Sequence, residues 1–177
     1  MNEYRIINDR VNQEARASQA KPEDAAAILE LLIQTAKWLR SKGSHQWSGL
    51  LEGRDNHDTT GSISRGNVFM CKHGEFLAGI MILLPEPSEW DRRLWGDEGH
   101  EGAIYLHRLA ISRDHAGKSL GQDMMRWAEE GIRFQGKDRI RLDCIADNPV
   151  LNDFYSRIGY EFKGQAPGGF NRFEKLL

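Results

Sequence analysis

Polar and apolar positions follow two different periods along this chain, and the switches between them mark out its elements. From Pro22 to Gly43, Ile28, Leu31, Leu32, Thr35 and Leu39 share one side at three- and four-residue spacing. That predicts an amphipathic helix with Pro22, Glu23 and Asp24 in its first turn and Gly43 at its end. Asn67–Cys71 and Phe76–Leu84 are short apolar runs around His73-Gly74, the pattern of a hairpin. The run 103–111 predicts a strand, and Leu120, Met124, Trp127, Ala128 and Ile132 predict a helix over 119–135 with one face on a sheet. A strand over 138–145, a helix over 149–158 and strands near 159–164 and 169–175 follow. A first strand is expected in 14–20, and 44–66 reads as irregular with a helical piece near 57–65. Strand, helix and strand in succession around 119–135 imply a parallel pair.

At 177 residues, 40% hydrophobic and 28% charged, the chain suits one buried domain over 14–177 behind a weakly specified tail, 1–13. No apolar run approaches the roughly 20 residues of a membrane span, and the polar start is unlike a signal peptide. The expected setting is the cytoplasm, with no membrane partner. A net charge of −2 spread over interspersed signs argues against nucleic acid. Cys71 and Cys144 stand singly and the six histidines form no metal-binding spacing, so no metal is expected.

Candidate chemistry begins at Ala116-Gly117-Lys118-Ser119-Leu120-Gly121, between the apolar run and the amphipathic helix. A small-residue turn there gathers free backbone N–H groups and a positive dipole end, which suits a phosphate. A nucleotide P-loop would need glycine where Ser112 stands, and a dinucleotide fingerprint would need glycines at Ser119 and Gln122. An ordinary helix start capped by Ser119 is the plain alternative.

Taken with Asp147 to Tyr160, the turn resembles the GNAT superfamily of acetyl-CoA-dependent N-acetyltransferases, whose cofactor turn runs R/Q-x-x-G-x-G/A. Ala116, Ser119 and Gly121 take its three named positions, the first two as departures. Asn148, Leu151, Phe154, Tyr155, Gly159 and Tyr160 follow the family's later segment, N-x-x-A-x-x-h-Y-x-x-x-G-F/Y, where h is apolar. The resemblance implies a mixed α/β GNAT acyl-CoA N-acyltransferase fold, with a central mixed sheet of about seven strands, splayed in the middle and flanked by about four helices. It implies acetyl-CoA as cosubstrate, with Ala116, Gly117, Lys118, Ser119, Leu120 and Gly121 at its pyrophosphate. Leu109, Ala110 and Ile111 would pair with the pantetheine arm, and Asn148, Asn152 and Tyr155 complete the cofactor contacts. The same resemblance puts Tyr155 beside the sulfur, where a phenol of pKa about 10 can protonate the thiolate.

The implied reaction is direct transfer of an acetyl group to a primary amine of a small molecule or peptide in a ternary complex. A non-catalytic acyl-CoA-binding module of the same fold is the alternative. Some members use a carboxylate base on the strand 103–111, where this chain offers Tyr105 and His107; alternation puts both on one face with Leu109 and Ile111. His107 is the leading base, with a water chain or a core role for His107 left open. Trp38 and Trp47 fall where the family walls the acceptor, and Tyr105 and Asp143 join them as substrate contacts. Pro85–Gly102 carries six acids against two bases, with Trp90 and Trp95 among them, and reads as a solvated loop or a lid over a cationic amine. A homodimer is compatible with this picture.

Overall fold

In the computed structural model, which describes residues 3–177, the two apolar periods meet on one sheet. Strands β2 (Ala15–Gln19), β3 (Val68–His73), β4 (Phe76–Leu84), β5 (Ala103–Ile111), β7 (Arg139–Ile145), β9 (Phe170–Leu176) and β8 (Glu161–Ala166) lie side by side in that order. All pairings in it are antiparallel except β5 with β7. Helix α1 (Ala25–Ser41) covers one face through Ile28, Leu31, Leu32 and Ala36, against Val68, Met70, Ile80 and Ile82. Helices α5 (Leu120–Glu130) and α6 (Pro149–Arg157) cover the other, where Met124, Met125, Trp127 and Tyr155 pack with Phe69, Met81, Ile104, Leu142 and Phe173. With α4 (Glu89–Trp95), these are the four longer helices; α2 (Ser48–Leu51) and α3 (Thr59–Ser64) are short pieces in the irregular stretch. No helix among the described residues is long and apolar enough to cross a membrane.

The parallel pair is brief. β5 and β7 are in register only from Ala103–Tyr105 to Arg139–Arg141. Beyond that β5 stays with β4 and β7 with β9, so two edges face each other unpaired from Leu106 and Leu142 onward. Within β5, Ile82 faces His107 whereas Ile80 faces Ala110, which leaves one extra residue on β5. Arg108, at φ 57°, makes this bulge.

The bulge corrects the expected alternation. An extra residue flips the side chains after it, so Leu109 and Ile111 pack with Ile104 and Leu106 on the α5 face. Tyr105 and His107, opposite Leu84 and Ile82, stay on the α1 face. Three other expectations change. The helix expected to 135 stops at Gly131, whose carbonyl accepts from Ile7 and Asn8. Ile132–Phe134 becomes strand β6, paired with β1 (Tyr4–Ile6); the supposed tail therefore holds a strand, its first two residues lying outside the described ones. And 85–102 contains α4, started by a reciprocal cap between Ser88 and Asp91.

Candidate active site

The cofactor turn is assembled from main chain. Ala116 is extended, Gly117 turns at φ 76°, and Ser119 starts α5 at φ 60°. The Ser119 side chain caps nothing, so the plain capping role does not apply to it. The backbone N–H groups of Gly117 to Gln122 have no acceptor among the described residues, and a Cβ on Gly117 would meet nothing within 4 Å. An open cluster of donors at a helix start fits an anionic ligand. Beside it, Arg113 lies 3.9 Å above the Trp38 ring, while His115 packs near Phe76. Trp38, expected at the acceptor, thus makes its contact next to this turn.

Across the open edges, α6 begins at Asn148, whose side chain accepts from the Leu151 N–H at 3.1 Å. Asn152 donates to the carbonyls of Ile145 at 3.1 Å and Asn148 at 2.8 Å, and accepts from Asn171 at 2.7 Å. It thereby pins α6 to the ends of β7 and β9. Tyr155, 6% exposed, lies among Phe154, Tyr160 and Phe173, and burial pushes its phenol well above the usual value, helped by Cys144 and Asp143. Both cysteines are free and buried, their thiols pushed up to about 12 by that burial.

On the α1 face, α4 lies where the ladder between β5 and β7 has ended. His107 Nε2 stands 2.9 Å and 3.1 Å from the two oxygens of Asp91, and the Trp90 indole N–H reaches both oxygens of Asp143 at 3.2 Å. One helix thus holds a side chain of each parted strand. His107 Nδ1 has no hydrogen-bond partner among the described residues. Asp91, one of the six acids of the stretch expected to be a solvated loop or a lid, is instead the buried partner of His107; Ser88 also donates to it through N–H and O–H, each at 2.9 Å. Burial alone would lower the His107 pKa, but the hydrogen bond and charge of Asp91, with Asp143, carry it above the ordinary value. Burial also raises the Asp143 pKa, which favours its neutral carboxyl.

Tyr105, expected to touch substrate, is fully buried; its hydroxyl shares a hydrogen bond with His100 and accepts from Arg141 at 3.0 Å. It braces the last paired rung behind His107. His57, Asp55 and Arg108 were not singled out from the sequence. The His57 ring stacks on His107 with centroids 4.3 Å apart, and burial, then the charges of His107 and Arg108, lower its pKa to about 3. Arg108 meets Asp55 at 3.3 Å and Trp47 at 5.2 Å from the ring centroid. Two clues existed in the chain: Ser88-x-x-Asp91 is a capping-box spacing, and His107-Arg108 places adjacent polar residues inside an apolar strand.

The chain matches the Acetyltransferase (GNAT) family over residues 30–160. It is 55% identical over 177 residues to YesJ of Bacillus subtilis (strain 168), named as an uncharacterized N-acetyltransferase, with 100% of this chain and 98% of that one aligned. A GNAT-family acetyltransferase of Listeria monocytogenes 4b F2365, solved by crystallography, is 39% identical and superposes with a TM-score of 0.78, covering 92% of this chain and 95% of that one. The PaiA N-acetyltransferase of Thermoplasma acidophilum, solved with coenzyme A, shares the fold at a TM-score of 0.70 and 18% identity, over 92% and 99% of the two chains. The chain belongs to the Acetyltransferase (GNAT) family and is an acyltransferase.

Proposed function

We propose that this protein transfers an acetyl group from acetyl-CoA to a primary amine of a small molecule or peptide by direct attack in a ternary complex. The observation that carries the reading is a pair of proton-handling groups on opposite faces of one gap. His107 lies on the α1 face and Tyr155 on the α5 face, at the place where β5 and β7 part. When bound, acetyl-CoA supplies an acetyl thioester whose leaving thiol has a pKa near that of cysteine, roughly 8.5. The free N–H groups of Gly117 to Gln122 suit its pyrophosphate, and the open edge of β5 at Leu109, Ala110 and Ile111 suits its amide-bearing arm. Coenzyme A bound to PaiA, a protein of the same fold, supports that choice.

His107 Nε2 is fixed by Asp91, which leaves Nδ1 to take a proton from the amine while the carboxylate steadies the imidazolium. Asp91, whose carboxyl is held against the effect of burial below its ordinary pKa by His107 and Ser88, supplies negative charge that draws an ammonium group toward the gap. Tyr155 keeps its proton at neutral pH, so it can protonate a departing thiolate. Free cysteines at 71 and 144 fit a reducing, cytoplasmic setting. The test is thiol release from acetyl-CoA over a panel of primary amines, with CoA binding measured in parallel. Release with formation of an acetylated amine is expected; tight CoA binding without release from any amine would leave a binding module.

A further inference from the structure

Buried polar atoms without a hydrogen-bond partner are few in folded proteins, and each asks for a physical reason. Among the described residues several of them gather in one corner beside His107, while Trp95 Nε1 and His115 Nδ1 lie outside it. Gln46 Oε1, His57 Nδ1 and the Nε and Nη1 of Arg108 are all shut off from water without a partner among the described residues. Asp55 joins them: it accepts from the N–H of His57 at 3.1 Å and of Thr59 at 2.8 Å, and pairs with Arg108 Nη2 at 3.3 Å. Arg108 is 7% exposed and, as a guanidinium, cannot escape by losing its proton. Backbone strain falls in the same place. Trp47 (φ 61°) and Arg108 (φ 57°), in contact with each other, both hold left-handed conformations, which bulky residues keep where the surrounding structure demands a fixed position.

We propose that this corner binds the carboxylate of the acceptor, so that the acceptor is a small amino acid whose amine faces His107 and whose carboxylate meets Arg108. The inference rests on the acetyl-transfer reading above and narrows its amine. Two points of charge favour a carboxylate over a phosphate. Arg108 already shares its charge with Asp55, and Asp91 and Asp143 stand at His107. A dianion would face the carboxylates of Asp55 and Asp91 with one guanidinium, a heavier repulsion than a single carboxylate meets. The same acids attract an ammonium group, so the two poles of the site fit a zwitterion. The short span from Arg108 to its chain neighbour His107 fits an amine and a carboxylate only a few bonds apart. Because the orphaned nitrogens are covered, the acceptor reaches them when the stretch carrying Gln46, Trp47 and His57 shifts.

The experiment offers the proteinogenic L-amino acids and their carboxamides in pairs as acceptors, reading thiol release from acetyl-CoA. Calorimetry reads the binding of the matching N-acetyl-L-amino acids to the protein with CoA. For the best pair, kcat/KM of the acid should exceed that of the amide by at least about tenfold. Arg108→Gln should bring that ratio close to one, chiefly by raising the KM of the acid. CoA affinity of the variant reports whether it folds, and Arg108→Lys, which keeps the charge and loses the planar fork, serves if it does not, with an expected loss of at least about threefold in the ratio. Amides accepted as well as acids, or a preference that survives both variants, would overturn the carboxylate site while leaving acetyl transfer intact. N-acetyl amino acids that bind the parent and not Arg108→Gln, without thiol release from any amine, would keep the carboxylate site and overturn acetyl transfer. Neither release nor binding would overturn both.

Discussion

Between Gly117 and Gln122 the chain offers an anion a row of main-chain N–H groups from six consecutive residues, whereas the proposed acceptor side takes Trp47, Asp55 and His57 from around α2 and α3, Asp91 from α4, His107 and Arg108 from β5 and Asp143 from β7. The first region presents atoms every residue possesses, so Ala116 and Ser119 can stand where the family's cofactor turn carries Arg or Gln and Gly. Side chains make up the second, and each is held by another: Asp91 by Ser88, His107 by Asp91, Arg108 by Asp55. A main-chain site depends on shape and the absence of bulk. A side-chain site depends on protonation and pairing, and the two should fail in different ways.

The largest effect belongs to the side-chain region. His107→Gln keeps an amide that can donate to Asp91 but cannot take up a proton at neutral pH. Turnover at pH 7 should fall by about 10²- to 10⁴-fold, with CoA affinity changed by less than about twofold. The pH profile sharpens the assignment. The His107 pKa lies above 6.5 because Asp91 outweighs the effect of burial, so the parent should be protonated and slow below that pKa and gain rate as pH rises through it. The variant should lack this limb. A variant with the parental rate and limb would leave His107 as a brace only.

Tyr155→Phe comes next, since it keeps the ring among Phe154, Tyr160 and Phe173 and removes only the donor. Turnover should drop roughly 10- to 1,000-fold, up to about 4 kcal/mol, without loss of CoA affinity. An unchanged rate, with chemistry demonstrably limiting, would exclude Tyr155 as the acid.

The main-chain region should respond to bulk and charge. A Cβ at Gly121 would meet Phe154 at 3.8 Å and Ile111 at 3.9 Å, ordinary contacts, so Gly121→Ala should bind CoA like the parent. Gly121→Asp adds a negative charge beside the free N–H groups, and its CoA dissociation constant should rise at least tenfold, about 1.4 kcal/mol. Equal calorimetric constants for all three proteins would move the pyrophosphate elsewhere.

The same contrast governs what could be read from the sequence. The β5 strand, the turn after it, α5 and the parallel partner β7 are contiguous and periodic, and their order implied a parallel pair. Local rules act on such segments directly. The acceptor corner has no such trace, because His57, Asp91 and Arg108 are separated in the chain and meet only after the sheet forms. Arg108 shows the difficulty most clearly: strict alternation puts Leu109 and Ile111 with His107, and a single left-handed residue reverses them. Gly131 did the same to the end of α5, since only the arrival of β1 turns Ile132–Phe134 from helix into strand. Asp91 was legible in principle, through the capping box it completes with Ser88.

The smallest expected effect concerns stability and isolates one ring of the corner. His57 stays neutral in the folded protein down to about pH 3, because burial and then the charges of His107 and Arg108 oppose its protonation. In the unfolded chain it takes up a proton near 6.5. The unfolded state therefore binds more protons below 6.5, and stability must fall as pH falls through that range, continuing toward pH 3. His107 has the opposite sense: its raised pKa adds stability that is complete below 6.5 and fades as pH rises through the folded value. Asp143, raised by burial, also favours the folded state on the acid side. Comparing the parent with His57→Gln cancels these shared contributions. Between pH 7 and pH 6 the parent should lose about 0.7 kcal/mol more than the variant in denaturant unfolding. Parallel pH dependence in the two proteins would mean that His57 titrates normally when folded, and the ring stacked on His107 would then be open to water rather than sealed in the acceptor corner.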